Sequence, residues 1–302
     1  MLPVLTTSAT RCFRSCPRLY RYQYVDGYKS TATSEALSFG TLIHKALEVL
    51  WRDGDFSIPP QENQYDYVRA LAVMIGYEAQ WGKPEGVLGV EVEYTTDLVN
   101  PATGSASRTW QHGGKIDAIV KGWVVEHKTT TEDIGAGSAY WRRLRLDNQV
   151  SNYLVGARAL GHEVNGCLYD IIRRPMLRPL FATPVESRKF TKDGVLYANQ
   201  RLTDETPEAY YERLVADIAD NYYARGEVVR LEDEEADAAF DLWHTGRNIR
   251  EAELAGRWPR NPDSCMKWQR ECPFFGVCTG AESLDNPAAF ERKARGNEEL
   301  SR

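Results

Sequence analysis

The sequence predicts an α/β fold with a mixed central sheet flanked by helices. Three observations carry that reading: three successive β-rich runs between residues 87 and 130, an amphipathic helical pattern before them at 38–52, and a helix followed by a strand after them, at 143–161 and 163–173. An α-β-β-β-α-β order of this kind is the pattern of strands and helices packed in layers around one sheet.

Residues 8–24 place Phe13, Leu19, Tyr20 and Tyr24 among arginines behind a capping Ser8, which predicts a short basic helix interrupted around Pro17. In 38–52, SFGTLIHKALEVLWR, residues Leu42, Ile43, Ala46, Leu47, Val49 and Leu50 form a broad apolar face, with His44 and Glu48 four apart on one side. DGDFSIPPQENQ after it is a loop. The runs VLGVEVEYTTDLV, WQHGGKIDAIV and GWVVEHKTT are strands rich in branched and aromatic residues, with Lys121-Gly122 as the hairpin turn between the last two. Residues 207–255 read as mainly helical and 286–302 as a polar tail; there is no internal repeat.

A chain of 302 residues can bury a sizeable core without disulfides. No stretch reaches the roughly 18 unbroken apolar residues of a spanning helix, and arginines near the N-terminus argue against a secretory leader, so no membrane role and a cytoplasmic location are expected. The net charge of −6 argues against indiscriminate nucleic-acid binding, but it conceals three basic runs. These are Arg11, Arg14, Arg18 and Arg21; Arg142, Arg143 and Arg145; and Arg173, Arg174 and Arg178. If they flank one site they make a phosphate-tracking groove.

The strand WVVEHK puts Val124, Glu126 and Lys128 on one face and Val125 and His127 on the other. Lys115, Asp117 and Ile119 share a face of the preceding strand, so a hairpin would set Asp117 beside Glu126. Two carboxylates and an amine at a sheet end can hold a hard divalent cation and orient a water. Taken alone, acid and base two apart on a strand also describe an ordinary surface ion pair. His44, and Gln149 with Tyr153 four apart on the 143–161 helix, are unremarkable by themselves.

The cysteines are more specific. Cys265, Cys272 and Cys278 lie within 14 residues, and a reducing compartment makes ligation the reading over disulfides. Three thiolates need a fourth ligand, for which Cys16 is the candidate and Cys12 a competitor. The absence of paired Cys-x-x-Cys knuckles favours a [4Fe–4S] cluster over zinc. Cys167, in a predicted strand, is expected to be a buried core thiol.

Taken in order, CPRLYRY, FGTLIHKALE, GKIDAI, VVEHK, QVSNY and the three-cysteine C-terminus resemble the RecB-like branch of the PD-(D/E)XK nucleases, and within it the iron–sulfur members: AddB-type nuclease domains and CRISPR-associated RecB-like exonucleases. The likeness runs from about residue 8 to 280. It implies a PD-(D/E)XK nuclease core with an iron–sulfur lobe joining the N- and C-terminal segments. The corresponding boundaries are 1–30 for the first part of the lobe, 31–175 for the core, 176–255 for connecting elements, 256–285 for the second part of the lobe and 286–302 for the tail. It further implies that His44 is a helix-borne metal ligand, Asp117 the bridging carboxylate, Glu126 the second carboxylate and His127 a backbone-carbonyl ligand. Lys128 would orient or deprotonate the attacking water. Gln149 and Tyr153 match the family's Q-x-x-x-Y helix, which approaches DNA, where Arg142, Arg143 and Arg145 are expected to join them. Cys16, Cys265, Cys272 and Cys278 match its cluster ligands. Two departures are visible: six residues separate Cys265 from Cys272 where two are common, and Ile rather than Pro precedes Asp117.

The function implied is a Mg2+- or Mn2+-dependent DNA exonuclease acting on single strands or free ends in recombination, repair or phage DNA metabolism. With no Gly-rich loop ending in Gly-Lys-Ser/Thr, any unwinding would come from a partner, and a separate helicase or annealing protein is expected, as for a phage or mobile-element enzyme. The competing expectations are a CRISPR-adaptation nuclease that trims spacer precursors, and a non-catalytic iron–sulfur or zinc DNA-binding scaffold.

Overall fold

The structure is a computed structural model, and it describes residues 2–300 apart from 33, 268, 269, 295 and 299. Part of the expected tail, residues 295, 299, 301 and 302, therefore lies outside the described residues. In chain order the elements are β1 (Val4–Leu5), α1 (Thr7–Ser15), α2 (Pro17–Tyr20), β2 (Tyr28–Ser30), α3 (Glu35–Asp53), α4 (Gln64–Trp81), β3 (Val87–Val99), β4 (Ala106–Val120) and β5 (Gly122–Thr130). Then follow α5 (Ala139–Leu144), α6 (Asn148–Ala159), β6 (Val164–Arg173), α7 (Pro207–Asp217), β7 (Tyr223–Val229), α8 (Glu232–Ala255), β8 (Met266–Lys267), β9 (Arg270–Glu271), α9 (Phe275–Thr279) and β10 (Phe290–Arg292).

Six strands form one mixed sheet. Its path is β1-β4-β5-β6-β7, with β3 on the other edge of β4. The β1/β4 and β5/β6 pairs are parallel, and the β3/β4, β4/β5 and β6/β7 pairs are antiparallel. The two-residue turn Lys121-Gly122 closes β4 onto β5, and Gly122 takes φ +83°, a conformation that needs no Cβ. This is the α/β architecture expected from the sequence, and β3 and β5 begin and end where they were placed.

Helices cover both faces. The Ser34 side chain caps α3 by accepting from Leu37 N, and the apolar stripe of α3 packs Ile43, Leu47 and Leu50 with Met74 and Tyr77 of α4 against Ala118, Val125 and Ile172. On the opposite face α6 packs Leu154 and Ala157 against Ile119, Val124, Cys167 and Ile171. Each fully buried side chain of this size contributes about 1.5–3 kcal/mol, which is what orients the two helices that carry polar groups into the site. A third cluster joins α1 to α8 through Leu5, Phe13, Trp110, Leu242 and Ile249, and a fourth joins Tyr22 and Tyr28 to Phe274 and Phe290.

Four local expectations change. Thr6, not Ser8, caps α1, its Oγ1 accepting from Ala9 N at 3.2 Å. The single helix expected over 143–161 is two, because Asp147 caps a new helix by accepting from Gln149 N. Within the stretch read as helical, 223–229 forms β7, whose Gly226 leaves room for the Trp141 ring where a Cβ would stand 2.6 Å from it. The C-terminal stretch is more than a polar tail: β10 pairs antiparallel with β2, and Asn297 Nδ2 donates to Val4 O at 2.9 Å.

Candidate active site

The site arises from a gap along one edge of β4. On that edge β1 pairs only with Gln111 and His112, and β5 begins only at Ala118. The residues between face a cleft of about 730 Å³, bounded by Thr7 after β1, by α3 and by the outer end of β5. Asp117 sits at the fork. Since β4 and β5 have parted there, the His127 backbone N–H donates instead to Asp117 Oδ2, at 2.8 Å. The alternation of β4 also slips at this point: Ile116 and Ile119 both join the α6 layer while Ala118 joins the α3 layer. The face expected to be shared by Lys115, Asp117 and Ile119 is therefore broken, and Asp117 reaches sideways to the β5 backbone.

Glu126 and Lys128 project together, as strand alternation requires. Their side chains form a short ion pair, and Lys128 Nζ also donates to Gln149 Oε1 at 2.9 Å. Gln149 Nε2 donates to Glu126 Oε1 at 2.9 Å and to the Tyr153 hydroxyl at 2.7 Å. Gln149 thus touches both members of the pair, and Tyr153 is buried beneath it. His44 enters from α3, where it was expected, with Nδ1 3.8 Å from Asp117 Oδ2. Gly40, one turn earlier, lets α3 seat against β5, because a Cβ there would lie 3.0 Å from Thr129 Oγ1.

The electrostatics are those of crowded carboxylates. Burial, and then the adjacent Glu126, push the Asp117 pKa up to about 8. Burial, with the His127 and Lys128 charges, lowers His44 to about 3, so its imidazole is neutral and able to donate a lone pair at neutral pH. Burial opposes the Lys128 ammonium, but the Glu126 carboxylate outweighs it and holds the pKa above the ordinary lysine value. Glu126 Oε2 is buried without a hydrogen-bond partner. A buried, unpartnered carboxylate oxygen beside a second carboxylate and a neutral imidazole suits a hard cation. As they stand, no group of three or more His, Cys, Asp or Glu side chains among the described residues is drawn together closely enough to hold a metal ion.

Two contributors escaped the sequence reading. Glu91 on β3 lines the cleft, ion-pairs with Lys115 and adds its charge to those raising the Asp117 pKa. It is the one non-glycine residue with positive φ, at 53°, among the described residues. No local pattern signals that conformation. Asp170, fully buried on β6, lies 3.2 Å from His127 Nδ1 and accepts from the Tyr77 hydroxyl and from Arg225 Nε. Burial would raise its pKa, but His127, Arg225 and Tyr77 outweigh it and lower it. The His127 ring is thereby held on the α3 side, leaving its backbone to face Asp117.

Arg142, Arg143 and Arg145 are exposed and do not line the cleft; Arg142 donates to Gly137 O and Arg143 pairs with Glu132. Of the N-terminal run, Arg11 pairs with Asp147 and Arg14 donates to Thr245, ties within the fold rather than a row of open cations. Cys16, Cys265, Cys272 and Cys278, from the two ends of the chain, line one small apolar cavity with Tyr22 and Phe274. Cys12 is outside it and donates to Gln23 Oε1 at 3.4 Å; burial pushes its thiol up to about 12. Cys167 is fully buried in the α6 layer. No described helix is long and apolar enough to cross a membrane.

Comparison with protein families matches residues 4–279 to the PD-(D/E)XK nuclease superfamily. No curated protein matches the chain. Among solved structures, an exonuclease candidate from Eubacterium rectale superposes with a TM-score of 0.51 at 11% identity, covering 94% of this chain and 90% of that one. A phage-related exonuclease from Haemophilus somnus 129PT gives a TM-score of 0.35 at 11% identity, covering 85% of this chain and 97% of that one. At these identities the first likeness speaks to fold alone.

Proposed function

The chain belongs to the PD-(D/E)XK nuclease superfamily, and from that premise we propose that it is a metal-dependent DNA exonuclease acting on single strands or free ends. The observation that carries this reading is the convergence of Asp117, Glu126, Lys128 and His44 on one cleft at the fork of β4 and β5.

Nucleases of this superfamily typically use Mg2+ or Mn2+. Asp117, Glu126 through its unpartnered Oε2, and His44 would hold the ion, with the His127 carbonyl as the further ligand implied by the resemblance. Such an ion neutralises the phosphate and lowers the pKa of a bound water. The protein's own groups do the rest. The His127 N–H pins Asp117 Oδ2, the oxygen that also lies 3.8 Å from His44 Nδ1. Lys128 Nζ, held between Glu126 and Gln149, presents a proton-bearing nitrogen at the edge of the carboxylates, placed to orient a water in line with the phosphorus. Gln149 holds that amine and Tyr153 holds Gln149, and both would also approach the DNA in the cleft, as the resemblance implies.

The same reading places a [4Fe–4S] cluster between Cys16, Cys265, Cys272 and Cys278. Four thiols around one apolar cavity support it. The donor type suits a soft metal site, and the thiols stand apart as placed. Burial, with the neighbouring Cys265, Cys278 and Cys16, raises the Cys272 pKa, a repulsion that a bound cation would relieve. On this reading Cys272→Ala purified anaerobically is colourless and less stable, because ligation free energy at such a site is folding free energy. A brown, stable variant would overturn the ligand assignment. A partner helicase or annealing protein, cytoplasmic action and a phage or mobile-element setting remain part of the proposal.

The test of the nuclease reading is cleavage of end-labelled single-stranded and duplex DNA by anaerobically purified protein with Mn2+ or Mg2+, beside Lys128→Ala. Metal-dependent release of short products from an end, lost in the variant, is the expected result. Equal activity in the variant, or none in either sample, would overturn it, the latter in favour of a DNA-binding scaffold.

A further inference from the structure

One stripe of α3 supplies a wall of the cleft. Gly40, Thr41, His44, Lys45 and Glu48 line it, at the three- and four-residue spacing of neighbours on a helix surface. Leu42, Ile43, Ala46 and Leu47 turn the other way into the core. That packing fixes the rotation of α3 about its axis, so Thr41 and Lys45 are held on the cleft side with His44.

Charge sets Lys45 apart from the other groups there. Five carboxylates, Glu48, Glu91, Asp117, Glu126 and Glu298, line the cleft with three lysines, Lys45, Lys115 and Lys128. Lys128 pairs with Glu126, and Lys115 with Glu91. Glu48, the carboxylate nearest to Lys45 in sequence, is taken instead by Arg52 at 2.7 Å, and Glu298 by Lys29 at 3.3 Å. Lys45 is exposed, and among the described residues it is the one lysine of the cleft without an ion pair. Thr41, one turn before it on the same stripe, is also exposed, and its hydroxyl makes no hydrogen bond among the described residues.

We propose that Lys45 binds the phosphate next to the one being cut, with the Thr41 hydroxyl as a second donor, and so positions a single DNA strand along α3. The inference rests on the nuclease reading and adds to it a substrate-positioning residue. The phosphate being cut is served by the metal site, but its neighbour meets Glu48 and Glu91 unless a cation of the protein faces it. Lys45 directly follows His44 and is turned about 100° from it around the helix axis, so its ammonium reaches beside the metal site and not onto it. A lysine suits the task as a compact charge on a flexible stem, which pairs with a phosphate as a point charge. Contacts of this kind hold the strand in register and carry no sequence information.

The test uses the full chain carrying Lys128→Ala, so that DNA is bound without being cut, and a fluorescein-labelled 20-nucleotide single strand, with Mn2+ present, across 50–200 mM salt. Adding Lys45→Ala is expected to raise Kd about fivefold and to make the log–log salt slope shallower by about 0.7, for one lost phosphate contact. Lys45→Arg should restore both. Thr41→Val should raise Kd about twofold and leave the slope unmoved, because a hydroxyl releases no counterion. Strands carrying one neutral methylphosphonate, moved a linkage at a time, should reveal a position that costs the Lys128→Ala chain about fivefold and costs the chain with Lys45→Ala nothing more. Arg247→Ala removes an exposed cation from a separate groove between β4 and α8 and should change Kd and slope far less. An equal loss from Arg247→Ala, a slope unmoved by Lys45→Ala, or the lack of such a methylphosphonate position would overturn the site. If the chain with Lys128 intact cuts DNA while Lys45→Ala binds normally, only this site fails; if it neither cuts nor binds, the nuclease reading falls with it.

Discussion

Gln149 and Lys128 are joined by a hydrogen bond of 2.9 Å in which the ammonium donates to the amide oxygen, while the amide nitrogen of the same side chain donates to Glu126. One uncharged residue thus fixes the relative placement of a lysine and a carboxylate on β5 from a helix on the next layer. It can do so because Asp147 caps α6 and Arg11 anchors Asp147, which sets where the first turn of α6 begins.

Replacing Gln149 by Ala should therefore lower kcat for DNA cleavage by 10- to 100-fold, the range expected of a residue that orients groups holding a metal. The melting temperature should stay within a few degrees of the parent. Unchanged kcat would show that Lys128 needs no such support.

Divalent cations should stabilise the fold through Asp117. Mn2+ is expected to raise the melting temperature of the parent and to leave Asp117→Asn unmoved. A cation needs the ionised carboxylate, and the Asp117 pKa is about 8, so the Mn2+ concentration for half-maximal stabilisation should rise as pH falls from 8 to 6, by up to about tenfold per pH unit. In the metal-free protein the sign is reversed. A carboxyl whose folded pKa lies above its unfolded value binds more protons in the fold, so its contribution to stability is lost as pH rises from about 4 to 8. A melting curve indifferent to Mn2+ in both proteins would contradict the metal assignment.

Gly156→Ala should disturb the site from a distance. In a helix interior the change alone would stabilise by up to about 1 kcal/mol. Here the new Cβ would lie 2.5 Å from the Tyr94 ring, whose hydroxyl is 3.3 Å from His112 Nε2. Overpacking of this kind costs about 1–3 kcal/mol and outweighs the propensity gain. Chemical denaturation should show a net loss, and cleavage should weaken as α6 moves Gln149 off Glu126.

His112 gives a second pH effect. It is buried beside Tyr94, and that burial lowers its pKa to about 4. The unfolded chain binds the proton first, so stability is lost as pH falls from about 6.5 to 4, by roughly 3 kcal/mol when complete. Relative to the parent, His112→Gln should gain about that much over the same range in urea titrations. A constant difference between the two proteins across pH would mean that His112 does not titrate in this way.

The sequence by itself determined what local periodicity can carry. Alternation along WVVEHK places Glu126 with Lys128 and turns His127 the other way, and the apolar stripe of 38–52 presents His44 beside the sheet. Lys121-Gly122 marks the one tight turn that brings Asp117 back towards β5. Tertiary structure decided the rest. The cleft exists because β1 and β5 divide one edge of β4 and leave Asp117 between them, a division in which a β1/β4 pairing more than 100 residues apart in sequence meets the local β4/β5 hairpin. Glu91 enters through a left-handed backbone at the same point, and the slip of β4 there breaks the period-2 rule from which its faces were read. Gln149 acts on Glu126 and Lys128 because α6 packs across the sheet, and Cys16 shares a cavity with Cys272 because the two ends of the chain fold together. A strand's side-chain direction follows from its own residues, whereas convergence of groups from distant segments follows from which edges and faces the whole chain leaves to be shared.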